Sequence, residues 1–195
     1  MLLVGLTGGI GSGKSEALAA FERLGVPTLS TDAVVHDLLG TEELRGLLHE
    51  RWGDRVLADG EVDRAAVAEI VFERPDELSW LEGTLFPRVG ERMMAWRTGL
   101  EGDHDVGVVE VPLLFEAGIE GAFDLTVAVV ADEALRDERA RARDHRGLEG
   151  RSGRQLPQDE KARRADFVVR NDGTIRDLEA AVGEVLAEVR GRVSP

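Results

Sequence analysis

The sequence predicts a three-layer α/β fold on a parallel sheet of five strands, and three observations carry that expectation. Short, continuously apolar runs alternate with amphipathic stretches along most of the 195 residues, as expected for strands covered on both faces by crossover helices. The first run leads at once into GLTGGIGSGKSE, a glycine-rich turn that opens onto a helix. Finally, the length suits one domain of ordinary size with a sizeable insertion, and a long helical stretch falls between the second and third strands.

The elements follow in order. LLVGL at 2–6 is a buried-type strand, and SEALAAFERLG after the loop sets Leu18, Phe21 and Leu24 on one helix face, with Gly25 as its stop. VPTLS at 26–30 is the second strand, and TDAVVHDLL begins a helix capped by Ser30 or Thr31. Residues 41–100 read as helical, broken by ADGEVD at 58–63 and ERPDE at 73–77. This is an insertion outside the sheet, leaving 1–40 and 101–195 as the core. DVGVVEVPLLF (105–115) and FDLTVAVVA (123–131) supply two more strands. EALRDERARARD is an arginine-bearing helix, and the glycine-rich GLEGRSG (147–153) belongs to a mobile lid at about 144–158. A short helix near 159–164, a strand FVV at 167–169 and an amphipathic helix from about 174 to 192 complete the chain. The GRVSP tail is expected to fray.

Composition narrows the chemistry. There is no cysteine, so disulfides, thiol nucleophiles and cysteine zinc sites are excluded. His36, His49, His104 and His145 are too far apart in sequence for a local metal pair. Any metal is therefore a hard ion held by oxygens and phosphate. A net charge of −14 argues against nucleic acid or an anionic membrane as partner. No run approaches a membrane span, so a cytoplasmic location is expected, and no obligate protein partner is evident. Residues 136–164 carry ten Lys and Arg against six Asp and Glu, a local +4 that suits a small, highly charged ligand. Only Lys14 and Lys161 are lysine among 24 basic residues, which marks both positions for examination.

Gly8-Gly9-Ile10-Gly11-Ser12-Gly13-Lys14-Ser15 satisfies G-x-x-x-x-G-K-S directly after a strand and at the start of a helix. Bare backbone lets successive N–H groups surround an anion, the helix N-terminus adds partial positive charge, Lys14 reaches the terminal phosphates, and Ser15 can ligate Mg²⁺. The loop is a polyphosphate cradle. What becomes of the phosphate stays open among transfer to a small acceptor, transfer to water, and binding alone. An N-K-x-D guanine signature is impossible with lysine only at 14 and 161, and small-molecule kinase leads. Such an enzyme needs a carboxylate beside the acceptor hydroxyl. Asp32, just past the second strand, stands where one belongs, although a helix cap is the other reading. Arg136, Arg139 and Arg143 share one helix face and can fold over bound phosphates, or can serve only as surface pairs.

Taken together, LTGGIGSGKS, LSTDAVVHDLL, DGEVDRAAVAEIVF with LEGTLFPRV, VEVPLLFEAG, FDLTVAV and QLPQDEKARRADFVVRNDG resemble the dephospho-CoA kinase family, of the P-loop kinase fold, from Leu3 to about Gly173. The resemblance implies transfer of the γ-phosphate of ATP to the ribose 3′-hydroxyl of dephospho-CoA, with Mg²⁺. It implies ATP contacts from Gly8, Gly9, Gly11, Ser12, Gly13, Lys14, Ser15 and Glu16, and a metal contact from Ser15. Asn171 and Gly173 are implied near adenine, Asp32 as catalytic base, and Arg139 and Arg143 in the lid. Pro112, Leu113, Leu114, Phe115 and Glu116 would border the acceptor pocket with Asp32, beside the helical insertion.

This chain departs from the family pattern at Phe86, where histidine is common, and at Glu16, where a second hydroxyl is common. Its lid is shorter and richer in glycine. Glu110 sits where some P-loop enzymes place a metal-shell carboxylate. Trp52, Trp80 and Trp96 all fall in the insertion, where they can stack on the acceptor's adenine or pack the core.

Overall fold

The computed structural model describes residues 1–142 and 155–192. Its contacts group Met1–Ser30 with Arg97–Pro195 as one compact unit and Thr31–Trp96 as another. The second unit takes in the helix that follows the second strand.

The first unit is a five-stranded parallel sheet in the order β2-β5-β1-β6-β7. Its strands are β1 Leu2–Gly8, β2 Thr28–Ser30, β5 Val106–Glu110, β6 Leu125–Val130 and β7 Phe167–Arg170. β1 lies in register between β5 and β6, with Leu6 opposite both Glu110 and Val127. Alternation along β1 divides its side chains between two faces. Val4 and Leu6 join a core with Ala17, Leu18 and Phe21 of α1 (Lys14–Arg23) and Leu178, Val182 and Leu186 of the C-terminal helix Ile175–Gly191. On the opposite face, Gly5 leaves room for Leu114 and Phe123, and Thr7 meets the helix Gln158–Arg164. The sheet is thus covered on both sides, which is why its strands read as unbroken apolar runs.

Leu24 departs from the expected apolar face. It caps α1 rather than extending it and is 41% exposed, because the chain turns out at Gly25 in a left-handed conformation.

The second unit runs α2 Thr31–Leu39, α3 Glu42–Trp52, a 3₁₀ turn Gly53–Val56, an antiparallel pair β3 Leu57–Ala58 and β4 Glu61–Val62, and α4 Arg64–Glu73. α5, Pro75–Leu100, then carries the chain back to the first unit. The interruption at 58–63 is therefore a small hairpin, turned by Asp59 and Gly60, both at positive φ. The break at 73–77 is Arg74, whose extended backbone separates α4 from α5 ahead of Pro75. Trp52 is 6% exposed and meets Trp80 edge to face at 5.2 Å, so these two rings pack the unit's own core.

In the remainder of the first unit, α6 spans Glu133–Ala142, α7 is Gln158–Arg164, and α8 is Ile175–Gly191 with a Thr174–Asp177 capping box. Among the described residues no helix is long and apolar enough to cross a membrane.

Candidate active site

The glycine loop leaves the C-terminal end of β1 at the sheet edge where α/β proteins bind ligands. Gly11 (φ +74°) and Gly13 (φ +90°) hold it in conformations that L side chains resist. A Cβ at Gly11 would enter the backbone of Arg136, and one at Gly13 the side-chain amide of Asn171. The loop is thus shaped by close approach from Arg136 and Asn171.

The clasp behind the loop comes from elements far apart in sequence. Arg136 Nε donates to the Ile10 carbonyl at 3.1 Å, and its guanidinium lies over Gly9. Gln155 Oε1 accepts from Ile10 N at 3.2 Å. Asn171, 6% exposed, donates through Nδ2 to the Ser12 carbonyl at 2.9 Å, and its own carbonyl accepts from Arg139 Nη1 at 3.0 Å. Lys14 Nζ donates to the Gly9 carbonyl at 3.0 Å, which folds the lysine along the loop. Ser12 Oγ is buried without a hydrogen-bond partner, an unsatisfied group of the sort that a ligand oxygen relieves.

Beside the loop, Gly13, Glu16, Arg139, Asn171, Gly173, Ile175 and Leu178 line a cleft of about 260 Å³. Five of these are residues singled out from the sequence; Ile175, 59% exposed, and Leu178 add an apolar wall. Glu16 forms an ion pair with Arg23 at 2.8 Å, which offsets the negative charge it brings to this cleft. Arg143 and most of the expected lid lie outside the described residues.

The donor set fits a nucleoside triphosphate, with backbone amides and a lysine for phosphates and a cleft with an apolar wall for a base. It also fits a magnesium ion. Ser15, at the start of α1, is exposed and offers a hard oxygen beside the loop, and among the described residues no group of three or more His, Cys, Asp or Glu could hold a metal.

Lys161 ties together the segments around the site, a role that pattern reading did not supply. It is 0% exposed, and its Nζ donates to Glu116 Oε1 at 2.9 Å, to the Pro112 carbonyl at 2.6 Å and, weakly, toward Thr7 Oγ1 at 3.4 Å. Burial pushes its pKa down while Glu116 opposes that shift. Glu116 Oε1 also accepts from Leu156 N at 2.8 Å. One buried ammonium therefore joins the strand that leads into the phosphate loop, the 112–116 segment and α7. Leu114 and Phe115 are buried at 0% and 4%, whereas Pro112 and Leu113 are partly exposed. The signal for Lys161 was its rarity in an arginine-rich chain.

In the second unit, Asp32 lies in the first turn of α2, exposed. One turn further on, His36 Nδ1 accepts from Arg64 Nη1 at 2.7 Å. Phe86 is 55% exposed. Glu110, 7% exposed, ends β5 in the first unit.

The family model described as dephospho-CoA kinase matches residues 2–177. A dephospho-CoA kinase from Thermus thermophilus is 37% identical over 195 residues, covering 97% of this chain and 93% of its own. A crystal structure from Thermus thermophilus superposes with a TM-score of 0.83 at 36% identity, covering 96% of this chain and 97% of that one. The dephospho-CoA kinase from Campylobacter jejuni shares the fold, with a TM-score of 0.72 at 24% identity over 97% of this chain and 98% of its own.

Proposed function

The chain belongs to the dephospho-CoA kinase family, and on that premise we propose how its residues divide the work of the reaction. The enzyme transfers the γ-phosphate of ATP to the ribose 3′-hydroxyl of dephospho-CoA, giving coenzyme A and ADP. A bond forms between O3′ and the γ-phosphorus, and the bond from that phosphorus to the β–γ bridging oxygen breaks. ADP leaves with that oxygen and its electron pair. Asp32 orients the 3′-hydroxyl and takes its proton, which then passes to solvent.

Loop amides from Gly8 to Glu16 hold the β- and γ-phosphates, and Lys14 turns from the Gly9 carbonyl to the phosphate oxygens as charge accumulates there. Arg139 and Arg143 complete the charge balance from the lid. Asn171, Gly173 and Ile175 receive the adenine in the cleft beside Gly13. Ser15, with the phosphate oxygens, would hold Mg²⁺, which would neutralise charge on the triphosphate. Pro112 and Leu113 border the acceptor, with Leu114, Phe115 and Glu116 fixing that border from below. The helical insertion houses the acceptor, and the reaction is cytoplasmic.

The observation that carries this reading is the cradle itself. Two glycines at positive φ are pinned from behind by Arg136 and Asn171, where a Cβ would collide. The experiment is ADP release coupled to a reporter, run with dephospho-CoA, with nucleoside monophosphates and with no acceptor. ADP formed only with dephospho-CoA, with coenzyme A as product, supports the reading. Acceptor-independent turnover, or none, would leave a nucleotide switch instead.

A further inference from the structure

Within Thr31–Trp96 there are fifteen Asp and Glu against seven Arg. An anionic acceptor meets net repulsion there unless a local group overrides it. Arg45, Arg51, Arg74 and Arg88 are each spent against a carboxylate, on Glu61, Glu77, Glu77 and Glu43. Arg64 is placed differently. Its Nη1 donates to His36 Nδ1 at 2.7 Å, and both residues are exposed.

That contact fixes the chemistry of the pair. A guanidinium has donors only, so Nδ1 must be the accepting nitrogen and the neutral ring carries its proton on Nε2. Arg64 keeps its positive charge and its remaining N–H groups, and His36 adds one more donor. The neighbouring Asp63 is engaged as the cap of α4, accepting from Ala65 N at 2.9 Å and Ala66 N at 3.2 Å. The result is a donor-only patch in an acidic unit, with the composition of an anion site.

Its position identifies the anion. His36 follows Asp32 by four residues on α2, so both point from one face about one helical turn, ~5.4 Å, apart. In a 5′-linked nucleotide the 3′-oxygen and the 5′-phosphate leave opposite ends of one sugar ring, a span comparable with one helical turn. We infer that Arg64 and His36 form the subsite for the 5′-diphosphate of the acceptor, with the sugar bridging from there to Asp32. This rests on the reading of Asp32 as the group beside the 3′-hydroxyl. It makes Arg64 a specificity-determining residue, because an acceptor with the sugar but no diphosphate forfeits the contact.

The test uses the full chain at saturating ATP. Dephospho-CoA kinetics are measured for wild type, Arg64→Gln, Arg64→Lys and His36→Ala, with adenosine as a competitor that keeps the 3′-hydroxyl and lacks the diphosphate. Arg64→Gln should raise KM for dephospho-CoA about ten- to a hundredfold, the range for a charged hydrogen bond, with kcat falling much less. Arg64→Lys should recover part of that loss, while KM for ATP and inhibition by adenosine stay within about twofold of wild type. A dephospho-CoA KM within about twofold of wild type in Arg64→Gln, or an equal weakening of adenosine, overturns the subsite. If Arg64→Gln melts below the assay temperature, His36→Ala decides, with a rise of about three- to tenfold expected and an unchanged KM fatal. Failure of wild type to phosphorylate dephospho-CoA would instead remove the function itself, and failure of Asp32→Asn to impair turnover would remove the anchor at Asp32.

Discussion

Gly13 and Asp32 each have a proposed role that one substitution isolates. At φ +90°, with the Asn171 amide where a Cβ would go, Gly13→Ala combines backbone strain with a displaced clasp. The strain alone costs about 1–2 kcal/mol. The larger effect is expected on KM for ATP, because Asn171 also holds the Ser12 carbonyl; an unchanged KM measured by ADP release would show that the clasp does not shape the cradle. Asp32→Asn keeps shape and removes the proposed proton acceptor, so kcat should fall by about 10²–10⁴, the span of general base catalysis, while ATP binding by calorimetry is retained. Turnover near wild type would take Asp32 out of the mechanism. Both residues stand out in the sequence for the same reason: the motif G-x-x-x-x-G-K-S and the acid after a strand are local patterns. The sequence marked Lys161 only by its rarity and could not show its contacts, because its partners Pro112 and Thr7 lie 49 and 154 residues away and no local spacing encodes them. Gln155 and Asn171 reach the loop across 145 and 159 residues; family resemblance singled out Asn171 for a place near adenine, not for its hold on the Ser12 carbonyl, and nothing in the sequence singled out Gln155.

Among the elements, the sheet strands were easiest to find, since burial on both faces leaves only apolar residues in them. The hairpin at Leu57–Val62 was harder. Its strands are two residues each, too short for any period to register, although Asp59-Gly60 is the dipeptide a tight turn of this kind favours. In the same unit the start of α5 is tied to the end of α3 by Glu77, which accepts from Arg51 Nε at 2.9 Å and Trp52 Nε1 at 3.0 Å. The Arg51 hydrogen bond, then that from Trp52, holds the Glu77 carboxyl below its usual pKa of 4.5. A carboxyl with a lowered folded pKa stabilises the fold fully above its unfolded pKa and loses that contribution as pH falls through the folded one. Thermal melts of wild type should therefore converge on those of Glu77→Gln as pH is lowered from 6 through about 4.5 to 3, with wild type the more stable at the upper end. Parallel melting profiles across that range would mean the ion pair contributes nothing to holding α3 and α5 together.

At the scale of the whole molecule the question is where a chain of net charge −14 places its two lysines. One stands in the phosphate loop. The other is enclosed at 0% exposure against Glu116, and its ammonium must be satisfied internally because water does not reach it. Removing one partner of such a pair leaves the other uncompensated, which typically costs about 3–5 kcal/mol, whereas removing both costs far less. Lys161→Met should therefore lower the melting temperature sharply, and adding Glu116→Gln should restore much of it, a coupling that a double-mutant cycle reads directly. Stability and activity part company in that double variant. The Pro112 carbonyl loses its ammonium donor whichever residue stands at 116, so the proposed border of the acceptor pocket stays loosened even when the fold is recovered. The double variant should melt near wild type yet show a raised KM for dephospho-CoA with KM for ATP little changed. Recovery of both together would reduce Lys161 to a stabilising residue. Recovery of neither would mean that Glu116 is not the partner that keeps Lys161 charged.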